Sequence, residues 1–374
     1  MITDKQFLDI YNLIDKKGSK NPDSLLEFRE SPIGNMYVMC IGYDDNFYGF
    51  EPSELKLVKY ADITKNAEHQ EKSTFEHDVD AFGSLDKLMV MPEGFTIFSS
   101  TDDTAYIRHT PDLETEPTVV YESSSDTSFF SKSFGIKSYF SGLASYILVG
   151  VYGREDSKKD LLLSDDGGKT FKVINQTRNI AGSGRNSHWH DVAIDVYSGF
   201  LWAAQGDFSN QRLIFSDDMG ETWKTLTEDS HPTAIIPFPD RVIFGRDDGL
   251  PGLSYFEKPL TNKDYESIDE KSYKTLREFI PSGKGSNFYG CYPLSQGNEA
   301  YLTFAPYSNY NNNFIMGSGD FGKTWHFLLM GDQVASKRQV LNNMWGIDDK
   351  YIYGTISSSN PGSTVVYAKK PSWV

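Results

Sequence analysis

From about Met36 onward the chain alternates short apolar or aromatic runs with clusters of Gly, Asn, Asp, Ser and Pro. That punctuation predicts strands joined by tight turns. The clearest runs fall at 105–108, 146–150, 200–204, 241–245, 301–304, 351–354 and 365–368. Only the start departs from the pattern. Thr3 is placed as an N-cap, and Phe7, Ile10, Tyr11 and Ile14 recur at helical spacing before Lys16-Lys17-Gly18. The pattern predicts a short N-terminal helical segment over 1–30 and an all-β domain over 31–374.

The β region repeats itself. Three octapeptides share the form Ser-x-Asp-x-Gly-x-Thr-aromatic: Ser164, Asp166, Gly168, Thr170 and Phe171; Ser216, Asp218, Gly220, Thr222 and Trp223; Ser318, Asp320, Gly322, Thr324 and Trp325. They begin 52 and then 102 residues apart, close to one and two steps of a period near fifty. That period is in the range of propeller blades. A worn copy is expected at Leu260-Thr261-Asn262-Lys263-Asp264-Tyr265, and one step before Ser164 lies Thr110-Pro111-Asp112. The arithmetic predicts a β-propeller of about six blades, with five the alternative.

Each octapeptide has a mechanical reading. A tight turn leaves backbone N–H groups outside the ladder, and a buried N–H without a partner costs about 1–3 kcal/mol. The aspartates are placed to accept from them, and the second glycine supplies a positive φ. The aromatic residue then anchors the hairpin in the blade core.

These octapeptides resemble the Asp-box, or BNR, repeat of the sialidase superfamily, and the stretch 85–369 is similar to a sialidase-type propeller. The resemblance implies that the boxes mark blade turns remote from a catalytic face, so none of their residues is a catalytic candidate. The family clamps its substrate carboxylate with three arginines, the first in a Phe-Arg-Ile-Pro motif. Here the nearest match is Phe28-Arg29-Glu30-Ser31-Pro32, which carries a charged residue and an insertion. Among ten arginines, Arg29, Arg185 and Arg246 are the ones considered for convergence.

Charge narrows the partners. Lys plus Arg number 36 against 52 Asp plus Glu, a net charge of -16. Such a surface repels nucleic acid and anionic membranes, and no apolar run of signal-peptide or membrane-span length occurs. The expectation is a virion or extracellular protein exported without a signal peptide, with a cytoplasmic location as the alternative. Cys40 and Cys291 have no metal-ligand spacing and read as two buried thiols.

The densest local chemistry lies between Arg185 and Asp207. His188 and His190 flank Trp189 and, two residues apart on a strand, share a face. On an innermost strand that face is expected to look toward the axis. Three readings are open: histidines hydrogen-bonded inside a central channel, polar contacts to a glycan, or a metal site completed by Asp207 or Asp247. The catalytic residues, if any, are unassigned, and no cofactor is expected apart from that metal. Arg246 and Asp247 follow an apolar run at the matching place in the next repeat, where an axial Arg–Asp pair would grip a polar ligand. Tyr307-Ser308-Asn309-Tyr310-Asn311-Asn312-Asn313 is a loop of the kind that stacks on sugars.

The repeat type occurs in glycosidases, glycan-binding propellers and phage receptor-binding tail proteins. The expectation is non-catalytic recognition of a cell-surface glycan or wall polymer by a phage receptor-binding protein. Its N-terminal helix would dock on other virion proteins. A sialidase-like glycoside hydrolase is the alternative.

Overall fold

The computed structural model describes residues 22–373 apart from positions 38, 66, 79–82, 124–127, 131–134, 154–157, 179–187, 207–209, 229–231, 247–251, 259–272, 279–287, 307–313, 331–340 and 358–361. The expected N-terminal helix and the worn copy at 260–265 lie outside the described residues.

Seven four-stranded antiparallel sheets stand around one axis. Blade 1 comprises Met39–Ile41, Phe47–Phe50, Leu57–Tyr60 and Glu71–Lys72. Blade 2 comprises Ser84–Met91, Gly94–Ser100, Ala105–Thr110 and Thr118–Glu122. Blade 3 is built from Ile136–Phe140, Ser145–Gly150, Asp160–Ser164 and Lys172–Gln176, and blade 4 from His188–Ile194, Leu201–Gly206, Arg212–Ser216 and Lys224–Thr227. Blade 5 has Pro232–Pro237, Arg241–Arg246, Gly252–Glu257 and Tyr273–Glu278; blade 6 has Phe288–Gln296, Glu299–Pro306, Phe314–Ser318 and His326–Met330. Blade 7 takes Leu341–Ile347, Tyr351–Ser357 and Ser363–Lys369 from the C-terminal end of the chain, and its outermost strand, Arg29–Met36, from the other end.

That last pairing closes the ring. Arg29 lies opposite Tyr367 and Met36 opposite Ser363. Beyond the strand, Asp23 N–H donates to Ser372 O at 2.9 Å, and Ser372 N–H returns to Asp23 Oδ1 at 2.8 Å. Innermost strands lie side by side from blade 3 round to blade 7, blade 7 meets blade 1, and blade 1 meets blade 2. The count is therefore seven, not six. The period was legible only where the octapeptide survives, and blade 1 and the shared blade 7 carry none.

The apolar core is divided into layers between blades. Leu148 and Leu163 of blade 3 pack on Trp189 and Leu201 of blade 4, whose Trp202 and Phe215 pack in turn on Ile235 and Phe244 of blade 5. Strand residues alternate between two faces, and in a radial sheet both faces are covered by neighbouring blades. That is why a second strand such as Leu201–Gly206 is buried along its whole length.

All three octapeptides occupy one kind of corner, the turn from third to fourth strand, in blades 3, 4 and 6. In each, the serine hydroxyl donates to the aspartate: 2.8 Å in Ser164–Asp166, 2.7 Å in Ser216–Asp218 and 2.9 Å in Ser318–Asp320. The same hydroxyl accepts from the N–H of Gly168, Gly220 or Gly322. The aspartate accepts the N–H and hydroxyl of Thr170, Thr222 or Thr324. Two successive residues at each bend have positive φ, and in blades 4 and 6 the first is not glycine: Met219 at 60° and Phe321 at 61°.

The second glycine answers to a neighbour as well as to its φ. A Cβ on Gly168 would meet Thr96 of blade 2, one on Gly220 would meet Ile174 of blade 3, and one on Gly322 would meet Phe238 of blade 5. The aromatic residues agree. Phe171, Trp223 and Trp325 belong to the layers shared with blades 2, 3 and 5 respectively. They pack into their own blade's core and against the preceding blade together. Thr110 and Asp112 stand at the same corner of blade 2, where Asp112 Oδ1 accepts the N–H groups of Glu114 and Thr115 at 2.9 and 2.7 Å. We call the face carrying these corners the lower face.

Candidate functional site

The histidine pair lies at the upper end of blade 4. His188 faces Gly206 in the ladder, and a register shift between Trp189 and Asp191 makes His190 a bulge. The expectation of a shared face is met, since the two Nε2 atoms are 3.0 Å apart. The face does not look into the axial cavity, whose wall includes neither ring. Both imidazoles are buried between blades: His188 stacks on Tyr152 at 3.9 Å, and His190 lies against Gly206. A Cβ on Gly206 would come within 2.0 Å of that ring.

The hydrogen positions follow from one carbonyl. His190 Nδ1 is 2.9 Å from Pro232 O, which can only accept. His190 therefore donates through Nδ1, and with that ring neutral its Nε2 accepts from His188 Nε2–H. A metal would have to displace that hydrogen. Among the described residues no group of three His, Cys, Asp or Glu is gathered for one.

Trp189 points the other way and is fully buried, donating from Nε1 to Lys159 O at 3.1 Å. Arg246, also buried, ends the second strand of blade 5 opposite Pro232, so it shares the corner of the histidines. Arg185, Asp207 and Asp247, and the loop 307–313, lie outside the described residues. Arg29 is exposed on the outermost strand of blade 7. Strands spaced about 4.8 Å apart put it about 14 Å outside the innermost strand, so it cannot join Arg246.

The axis holds what the sequence reading passed over. A cavity of about 490 Å³ occupies the lower part of the channel, walled by residues from the innermost strands of all seven blades. Among its lining are Cys40, Lys87, Lys137 and Ser138, with Tyr197, Ser295 and Trp345 toward the lower face. Lys87 and Asp191 hold equivalent places in blades 2 and 4, each directly after a bulge. Asp191 is fully buried and ties three blades together. It accepts Gly135 N–H of blade 3 at 2.9 Å and Ile235 N–H of blade 5 at 2.8 Å, and Lys137 Nζ stands 3.8 Å away.

Burial, and then the neighbouring charge of Lys137, lower the Lys87 ammonium to about 8. Burial pushes the Cys40 thiol up to about 12, which makes it a poor nucleophile. The signal for the lysines was present: Lys87 interrupts Leu85-Asp86-Lys87-Leu88-Met89-Val90, where a cation is out of place in an apolar run.

Around the lower mouth, Tyr43, Phe140 and Tyr197 are 48%, 40% and 45% exposed. Tyr43 and Phe140 meet edge to face at 5.9 Å, reaching from blade 1 to blade 3. Tyr197 donates to Gly297 O at 3.2 Å, from blade 4 to blade 6.

Fold and channel together define a seven-bladed β-propeller. Compared with protein-family models and curated sequences, the chain matches none. Solved structures share the fold. A GH74 xyloglucanase from Xanthomonas campestris aligns with 81% of this chain at 14% identity and a TM-score of 0.54. This chain spans 47% of that enzyme's length. YCF48 from Cyanidioschyzon merolae aligns over 92% of this chain and 98% of its own, at 10% identity and a TM-score of 0.53. The Cps50 (Swd1) propeller domain of Myceliophteria thermophila covers 92% of this chain and 99% of its own, at 8% and 0.53. At these identities the likeness concerns architecture alone.

Proposed function

We propose that this propeller is a non-catalytic recognition module of the Asp-box type, binding a cell-surface glycan or wall polymer as the receptor-binding protein of a phage virion. The observation that carries the reading is the lower mouth of the channel. Three half-exposed aromatic side chains surround an open cavity with hydroxyls and ammonium groups in its wall. Aromatic faces beside hydrogen-bonding groups suit a sugar, whose apolar face stacks while its hydroxyls bond. Glycoside hydrolysis instead needs two carboxyl groups about 5–10 Å apart across the scissile bond. Among the described residues the cavity wall presents neither Asp nor Glu. The phage assignment draws on the repeat type, which such proteins share.

The test is retention on isolated cell-wall and glycan fractions beside a fluorogenic glycoside panel. Retention without turnover is expected, and Tyr43→Ala and Tyr197→Ala should each weaken it about tenfold, equivalent to ~1.4 kcal/mol. Hydrolysis abolished by changing a single carboxylate would overturn the proposal.

A further inference from the structure

We propose that the axial cavity is a binding site for a small oxyanion, a phosphate or carboxylate group, held between Lys87 and Lys137. The inference does not rest on the glycan reading; it follows from the charges around the cavity.

Two ammonium groups from adjacent blades stand in its wall. The carboxylate nearest them is Asp191, and both of its oxygens are committed to backbone N–H groups of blades 3 and 5. Its approach to Lys137, 3.8 Å, is longer than a hydrogen bond. Lys87 has no hydrogen-bond or ion-pair partner among the described residues. Two cations against one occupied anion leave the cavity with a local positive charge, inside a protein whose net charge is -16. Lys87 is partly withdrawn into the wall of an open cavity with no anion paired to it, so its charge is incompletely solvated, and an anion entering from solvent would relieve that. The lowered titration of Lys87 expresses the same unmet demand.

An oxyanion answers it. Its oxygens can accept from both ammonium groups at once, each bond strengthened by charge. A cavity of about 490 Å³ admits a phosphate or a carboxylate with water to spare. The charged groups facing Lys87 are Lys137 and Asp191, with the Cys40 thiol beside them. Of these only Lys137, 3.8 Å from Asp191, is a second cation that can share the ligand.

The experiment uses the full chain labelled with 13C and 15N lysine, reading the Lys87 and Lys137 side-chain signals by NMR. Inorganic phosphate and, separately, acetate are titrated against sodium chloride at matched ionic strength. The expected result is a saturable shift of both lysines, with the Lys87 titration point moving up by a unit or more. Lys87→Met should abolish the response, and Lys137→Met should weaken binding at least tenfold. Response to phosphate alone assigns a phosphate group; response to both assigns a site for either oxyanion. Thermal unfolding gives a second reading, in which phosphate raises the Tm of the parent and leaves that of Lys87→Met unchanged. Should Lys87→Met fail to fold, Lys137→Met decides. Identical shifts with chloride, or an undiminished response in Lys137→Met, overturn the proposal. Loss of glycan retention with the phosphate response intact would sink the glycan reading alone.

Discussion

At the scale of single residues, the lower corners show how much one side chain can decide. Asp218 is held at about 2 by the hydroxyl and N–H of Thr222, with Ser216 adding a further bond. An unfolded aspartate titrates near ~3.9. The folded carboxyl therefore adds stability fully above that value and loses it as pH falls through about 2. Asp218→Asn should be less stable than the parent at pH 7, and the gap should close on acidification between roughly pH 4 and 2. Urea midpoints measured across that range check it. Gly220 and Gly142 allow a second comparison, because both have positive φ, at 92° and 79°. A Cβ on Gly142 meets nothing within 4 Å, whereas one on Gly220 meets Ile174 at 2.8 Å. Gly142→Ala should cost about 1 kcal/mol from backbone conformation alone. Gly220→Ala should cost about 1–3 kcal/mol more from overpacking. Equal losses in denaturant titrations would show that the corner does not bear on the next blade.

Elements cooperate through their innermost strands. Backbone ladders hold each sheet together, and among the described residues none of the four-stranded ladders runs from one blade into the next, so blades are tied by packing, single backbone bonds such as Tyr43 N–H to Val90 O, and a few polar bridges. Asp191 is the clearest bridge, reaching from its strand in blade 4 to blades 3 and 5. Asp191→Asn keeps the shape but turns one acceptor into a donor facing an N–H. A loss of about 2–3 kcal/mol is expected, the usual worth of a bond to a charged group plus an unpaired donor. Hydrogen exchange should quicken at Gly135 or Ile235 and stay unchanged in blades 6 and 7. The same strands explain why the histidine pair is not axial. Side chains on a radial strand project sideways onto neighbouring blades, so sharing a face does not mean facing the channel.

For the whole molecule the decisive contact joins residues more than three hundred positions apart. Arg29–Met36 completes blade 7 and leaves no open edge between the chain's two ends. Removing residues through 37 would bare Ser363–Lys369, a strand with Val365, Val366 and Ala368 buried. Exposed edges pair with other chains, so the shortened protein should self-associate by light scattering. A peptide covering 22–37, supplied in trans, should suppress that association; failure to do so would mean that the closure is incidental.

What the sequence determined by itself was whatever is written locally. Strand and turn alternation, the octapeptide corners and the position of Thr110-Pro111-Asp112 one step before Ser164 were legible, because a turn is stabilised by residues within eight positions of each other. The blade count was not, since blade 1 has no octapeptide and blade 7 borrows a strand from the far end of the chain. The paired histidines were recognisable, but their burial was not, because burial depends on Tyr152 and Pro232 in other blades. Lys87 and Lys137 are fifty residues apart, and only closing the ring sets them in the wall of one cavity, with Asp191 buried behind Lys137. Local hydrogen bonding is encoded in spacing; a charge's surroundings exist only once distant strands share an axis.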